Sequence, residues 1–142
     1  MALYVMADLH LSTETNKPMD VFGSRWQGYT EKIEKRWNSL IEDGDTVVVP
    51  GDMVEGVESL HGEGANDVPM FANPHCQILV LAKREVIRIP EYLRGRKLIG
   101  KGNHDFWWAS EKKMLAAFEN WGIKSISVMH NNAYLVEDKI IC

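Results

Sequence analysis

The chain has 142 residues and a mass of 16.2 kDa, the size of one ordinary domain that can bury an apolar core. Apolar residues make up 45% and charged residues 25%, values typical of folded globular proteins, so disorder and low-complexity sequence are excluded. Sixteen basic and 20 acidic residues give a formal net charge of −4, which makes nucleic acid an unlikely partner. The apolar start over residues 1–7 lacks a basic lead, and no apolar run approaches the roughly 20 residues of a membrane span. We therefore expect a cytoplasmic protein with no membrane partner.

Two strands and an intervening helix are predicted in the first third of the chain. Residues 1–7 are apolar and bounded by polar residues, the pattern of a short buried strand. Apolar residues recur at helical spacing over 29–41, and the turn at 43–45 ends the helix. Residues 46–50 are β-branched without alternation, which predicts a strand covered on both faces. Together they predict a βαβ unit in a parallel sheet.

Further elements are predicted beyond residues 54–76, a segment rich in glycine and proline that lacks periodicity. Helical spacing returns over 78–89 and again after Ser110, where Gly122 ends the helix. An apolar run predicts the third strand, and three more short strands are predicted near the end of the chain: 97–101, 125–129, 134–137 and 139–142. The basic residues between positions 83 and 97 are expected to lie on a solvated surface.

Polar residues with oxygen or nitrogen donor atoms follow the first three predicted strands. They are Asp8 and His10, Asp52 after Gly51, and Asn103, His104 and Asp105 after Gly102. Parallel sheets place ligand sites outside the carboxyl ends of their strands, so we expect these side chains to converge on one crevice. Carboxylate, imidazole and amide ligands without a thiolate suit manganese, iron or catalytic zinc. The two glycines allow the backbone to turn sharply and to approach an ion closely.

In order and in strand-end context, these segments resemble the first three motifs of the calcineurin-like metallophosphoesterases: DxH, GD, and GNH followed by an acid. The resemblance covers residues 1–142, and residues 17–23 and 106–108 are similar to a bacterial branch of phosphohydrolases. It implies an α/β fold of the layered α/β/β/α type, present here as the first sheet with its helices and the start of a second sheet.

The same resemblance implies a site for two divalent metal ions in the complete domain. Asp8 and His10 would bind the first ion, Asp52 would bridge both, and Asn103 would bind the second through its amide oxygen. Mn²⁺ is the expected metal, with iron and Zn²⁺ as alternatives.

For His104, paired with Asp105, the resemblance implies stabilisation of the transition state or protonation of the leaving oxygen. The implied activity is hydrolysis of a small phosphomonoester or phosphodiester by a hydroxide that two metal ions activate. Two alternatives stay open: a non-catalytic metal-binding or scaffold module that keeps the fold, and a nuclease of the same superfamily.

The family's later GH and GHxH motifs have no counterpart in this sequence. His61, His75 and His130 lack that context, and exposure in a loop or turn is the ordinary expectation for them. We therefore expect a single domain over residues 1–142, truncated at its C-terminus, that retains at most one metal ion. The apolar residues 139–142 would leave a strand edge uncovered, so self-association is expected.

Overall fold

A computed structural model of the chain describes residues 1–11, 19–53, 92–103, 105 and 108–142. The predicted helix over 78–89 and the glycine- and proline-rich segment 54–76 lie outside the described residues. Every other predicted strand and helix is present, but the first strand is not buried as predicted, since Val5 is 69% exposed. The elements are β1 (Leu3–Val5), two short 3-10 turns (Met19–Phe22 and Ser24–Trp26), α1 (Tyr29–Leu40), β2 (Thr46–Val49), β3 (Arg96–Gly100), α2 (Glu111–Asn120), β4 (Ile126–Met129), β5 (Tyr134–Val136) and β6 (Lys139–Ile141).

Four strands form a parallel sheet in the order β1-β2-β3-β4. The register pairs Tyr4 with Val47, Val47 with Lys97, and Lys97 with Ile126. Because all four strands run the same way, their carboxyl ends lie along one edge of the sheet. The remaining strands, β5 and β6, form a separate antiparallel hairpin.

Both faces of this sheet are covered at β2 and β3, whereas β1 at the edge of the sheet is largely exposed. On one face, Val49, Ile99 and Val128 pack in a cluster with Trp37 of α1 and Phe118 of α2. The other face presents Val48 and Leu98 to Val136 of the hairpin. All four residues of β2 are buried, as predicted for a strand covered on both faces. The predicted α/β architecture is thus confirmed, with helices on one face of the first sheet and a second small sheet on the other.

One expectation about charge is wrong. Lys97, placed on a solvated surface by its neighbours in the sequence, is only 1% exposed. Its position in β3 explains the difference, because it lies beside Val47 and Ile126, whose side chains point into the helix-side core.

Helix α1 is tied to the segment that enters β3. The indole nitrogen of Trp37 donates a hydrogen bond to the Arg94 carbonyl at 2.8 Å, and Asn38 accepts one from the Arg94 amide at 3.0 Å.

Among the described residues, no helix is long and apolar enough to cross a membrane.

Candidate metal centre

The segments that follow β1 and β2 run side by side beyond the ends of the strands. The amide of His10 donates to the Asp52 carbonyl at 3.1 Å, and the amide of Leu11 donates to the Met53 carbonyl at 2.9 Å. These two bonds hold the polar residues after β1 against those after β2. The sequence prediction that strand ends would bring Asp8, His10 and Asp52 together is therefore confirmed for these three.

Asp8, His10 and Asp52 each offer one ligand atom, and the three atoms lie within 4.8 Å of one another. The His10 Nε2 is 3.9 Å from the Asp52 Oδ2. Burial differs across the group, since Asp52 is 4% exposed whereas Asp8 is exposed and His10 is half-buried. The group is thus anchored on the protein side and open to solvent on the other, so that an ion and a substrate can reach it.

The backbone adopts the left-handed region at Asp8 and His10, the two candidate ligands after β1. The φ angles are 53° at Asp8 and 45° at His10. Residues other than glycine rarely adopt this conformation, and such strain is concentrated at functional sites. Tyr29, the first residue of α1, helps to hold it because its hydroxyl donates a hydrogen bond to the His10 carbonyl. Periodicity placed Tyr29 in the core, and no sequence signal could have shown this contact.

Two glycines, Gly51 and Gly102, allow the strand ends and the carboxylates of the site to lie close together. A Cβ atom on Gly51 would overlap with the Asp8 carboxylate, and one on Gly102 would overlap with the Asp52 carboxylate and with the backbone of Gly51 and Asp52. Gly51 also has a φ of 99°, which favours glycine. Both glycines are thus in close contact with the carboxylates of the group, and the close approach to an ion stays a prediction.

The third strand end lies against the same crevice. Because Gly102 lies against the Asp52 carboxylate, the next residue, Asn103, lies at the same edge of the sheet, and it is exposed. Asp105 is fully buried and accepts hydrogen bonds from the amides of Met53 at 3.1 Å and Gly102 at 2.9 Å. The predicted partner of Asp105, His104, lies outside the described residues.

Of the histidines outside the predicted site, His61, His75 and His130, only His130 lies among the described residues. His130 is exposed in the turn after β4, as expected, and its amide donates to the Asn132 side chain at 3.0 Å.

The donor set and its surroundings fit a divalent metal ion. Two carboxylates and an imidazole are ligands that manganese, iron and zinc all accept. The three donor atoms converge, and the two glycines leave room for the carboxylates of Asp8 and Asp52, which a Cβ at either glycine would displace. In this structure the residues present therefore fit one metal ion at Asp8, His10 and Asp52.

Comparison with known protein families gives a match over the whole chain. The model of the calcineurin-like phosphoesterase family matches residues 1–142. No curated protein sequence and no solved structure gives a significant match.

Proposed function

This chain belongs to the calcineurin-like phosphoesterase family, and from that membership we propose that it hydrolyses a small phosphomonoester or phosphodiester in a metal-dependent reaction. The observation that carries the proposal is the convergence of Asp8, His10 and Asp52 at the carboxyl edge of the sheet. A bound divalent ion supplies Lewis-acid stabilisation of the phosphoryl oxygens and lowers the pKa of a water molecule.

The two oxygens of Asp52 face different neighbours, which supports a bridging role for this residue. Its Oδ2 faces the His10 imidazole, and its Oδ1 lies against Gly102, next to Asn103. Asp8, His10 and Asp52 would hold the first ion, whereas only Asp52 and Asn103 would be available to a second. We propose that this chain retains at most one ion with useful affinity, because ligand number governs retention. Mn²⁺ is proposed as the metal on the family resemblance.

His104, on the family pattern, would hold a proton at its imidazole and transfer it to the leaving oxygen of the substrate. Asp8, His10 and Asp52 would hold the ion near the solvent-facing side of the site, where a phosphoryl group can reach it. The buried side of the site, with Asp52 and Asp105, would keep its geometry during the reaction.

Titration calorimetry with Mn²⁺ and hydrolysis of a generic aryl phosphate test the function. We expect about one ion per chain and a turnover that a chelator abolishes. Asp52→Asn should weaken Mn²⁺ binding at least about tenfold and lower activity with it, because loss of a group that only orients a metal ligand already costs about 10- to 100-fold. Asp138→Asn is the matched control, since its side chain is 82% exposed in the β5–β6 turn.

The results also separate the alternatives. Two tight ions per chain would contradict the one-ion proposal, and no bound ion would contradict the first site. Mn²⁺ binding without hydrolysis of either a monoester or a diester would favour a non-catalytic module. In an active chain, His104→Asn should leave Mn²⁺ affinity unchanged and lower kcat by about 10² to 10⁴.

A further inference from the structure

Every backbone polar group of the Asp52–Met53 segment has a defined partner. The Asp52 amide donates to the Asp8 Oδ1 at 3.1 Å, and the carbonyls of both residues accept from the amides of His10 and Leu11. The Met53 amide donates to the Asp105 Oδ1. Three of these four partners come from the chain after β1, and the fourth comes from the loop after β3.

Asp105 is the residue that joins the ends of β2 and β3. One carboxylate oxygen accepts from the Met53 amide at 3.1 Å and the other from the Gly102 amide at 2.9 Å. Met53 directly follows the ligand Asp52, and Gly102 directly precedes Asn103. The first bond therefore fixes the peptide unit that Asp52 and Met53 share, and the second fixes the backbone one residue before Asn103.

Burial makes this contact strong. Asp105 is 0% exposed, and a buried carboxylate is costly unless hydrogen bonds satisfy it. Bonds from amides to an ionised carboxylate are stronger than bonds between neutral groups, and two of them set both the distance and the direction between the loops. An asparagine of the same shape offers one oxygen and one NH₂ group, so that one of the two amides would face another donor.

We propose that Asp105 is a positioning residue, whose carboxylate holds the Asp52 and Asn103 loops at the separation that metal binding requires. The proposal rests on the proposed function only in naming those loops as the metal centre. It assigns Asp105 a contact to the backbone of both loops, in place of a role confined to the neighbouring His104.

Amide hydrogen exchange in the metal-free protein tests the contact itself. We expect Asp105→Asn to speed exchange of the Met53 and Gly102 amides by about 10- to 100-fold, as loss of a charge-assisted bond would do, while the Val47 and Val48 amides in β2 keep their rates. Asp105→Glu keeps two acceptor oxygens and should retain more protection than Asp105→Asn. Unchanged exchange at Met53 and Gly102 would overturn the proposal.

Mn²⁺ affinity, measured on the folded protein without substrate, tests the consequence. Asp105→Asn should weaken binding about 10- to 100-fold, the scale for partners that orient metal ligands. Val128→Ala is the control, because Val128 is fully buried in β4 and its truncation should lower stability without changing Mn²⁺ affinity. Equal affinity in Asp105→Asn and the wild type would also overturn the proposal. If the wild type bound no Mn²⁺, the proposed function would fail, and the exchange rates would still decide the role of Asp105.

Discussion

Lys97 is a charged residue that the fold places in an apolar interior. Its ammonium group donates a hydrogen bond to the Leu93 carbonyl at 2.6 Å. Burial lowers the pKa of Lys97 from its ordinary 10.5 to about 8, and the negative charge of Asp43 opposes this shift. The environment of Lys97 thus disfavours its charged form, whereas that of Asp45 favours the charged form. Hydrogen bonds from the amides of Glu42 and Ala2 lower the pKa of the Asp45 carboxyl group.

The shifted pKa of Lys97 makes stability depend on pH. Between about pH 8 and 10.5 the unfolded chain holds the Lys97 proton and the folded chain releases it, so the free energy of unfolding should rise with pH in that window. Below pH 8 both states hold the proton, and the full cost, on the order of 3 kcal/mol, is present. Lys97→Met should therefore raise stability at neutral pH and remove this rise.

Urea unfolding at pH 7.5 and pH 10 (roughly the two ends of the window) measures the effect. Lys139→Met is the control, because the Lys139 side chain is 56% exposed. A Lys97→Met protein whose stability rises with pH as steeply as that of the wild type would contradict the assignment.

At the scale of single residues, the sequence predicted which polar side chains meet at the ends of the strands. The positions of Asp8, His10 and Asp52 follow from the rule that parallel strands end at one edge. The left-handed backbone at Asp8 and the burial of Lys97 do not, because they depend on tertiary contacts that no local pattern encodes. The contact between Asp105 and two backbone amides was missed for the same reason.

At the scale of elements, the ends of β2 and β3 approach each other more closely than side chains allow. Gly102 lies against the backbone of Gly51 and Asp52, so the two strand ends are in direct main-chain contact. The strands themselves were predicted from their apolar runs, and the glycines after β2 and β3 suggested a close approach to an ion. Neither the partner strand nor the atoms in contact could be predicted, because both follow from the register of the sheet.

Gly102→Ala should disrupt this contact. The added methyl group would force the two loops apart, and overpacking of this kind costs about 1 to 3 kcal/mol. We therefore expect a lower melting temperature together with weaker Mn²⁺ binding. Gly44→Ala is the matched control: its added Cβ would meet only the Met1 side chain at 3.7 Å, an ordinary contact.

Calorimetry and thermal unfolding of the two variants decide the outcome. Since Gly102, unlike Gly51, has no positive φ angle, a loss in Gly102→Ala would come from the close approach and not from backbone strain. Equal behaviour of the two alanine variants would show that the strand ends can separate at no cost.

At the scale of the whole molecule, the hairpin leaves apolar side chains on its outer face. Val136 points inward and is 8% exposed, whereas Leu135 and Ile140 are each 71% exposed. The register pairs Leu135 with Ile140, so the two side chains form one apolar patch. Within the described part of the chain, β5 and β6 pair only with each other, and their outer backbone edges stay available to another strand.

We expect the chain to self-associate through this patch at high concentration. Leu135→Lys should shift the population toward the monomer, because it places a charge in the patch and on an exposed strand. Val21→Lys is the control, since Val21 is 74% exposed in a 3-10 turn that is separate in the sequence from the hairpin. Sedimentation velocity across a range of concentrations measures the effect, and a wild type that is monomeric throughout would contradict it.

The parallel register also governs how the chain reaches this structure. Tyr4 and Val47 are 43 residues apart, Val47 and Lys97 are 50 apart, and Lys97 and Ile126 are 29 apart. No strand of the main sheet can find a partner before a long loop closes, and topologies with such distant contacts fold slowly. The shortest closure joins β3, α2 and β4, so we expect this unit to form first and φ-value analysis of folding kinetics to place Val128 in the nucleus. Substitutions at Val128 should then slow folding, whereas substitutions in β1 should mainly speed unfolding.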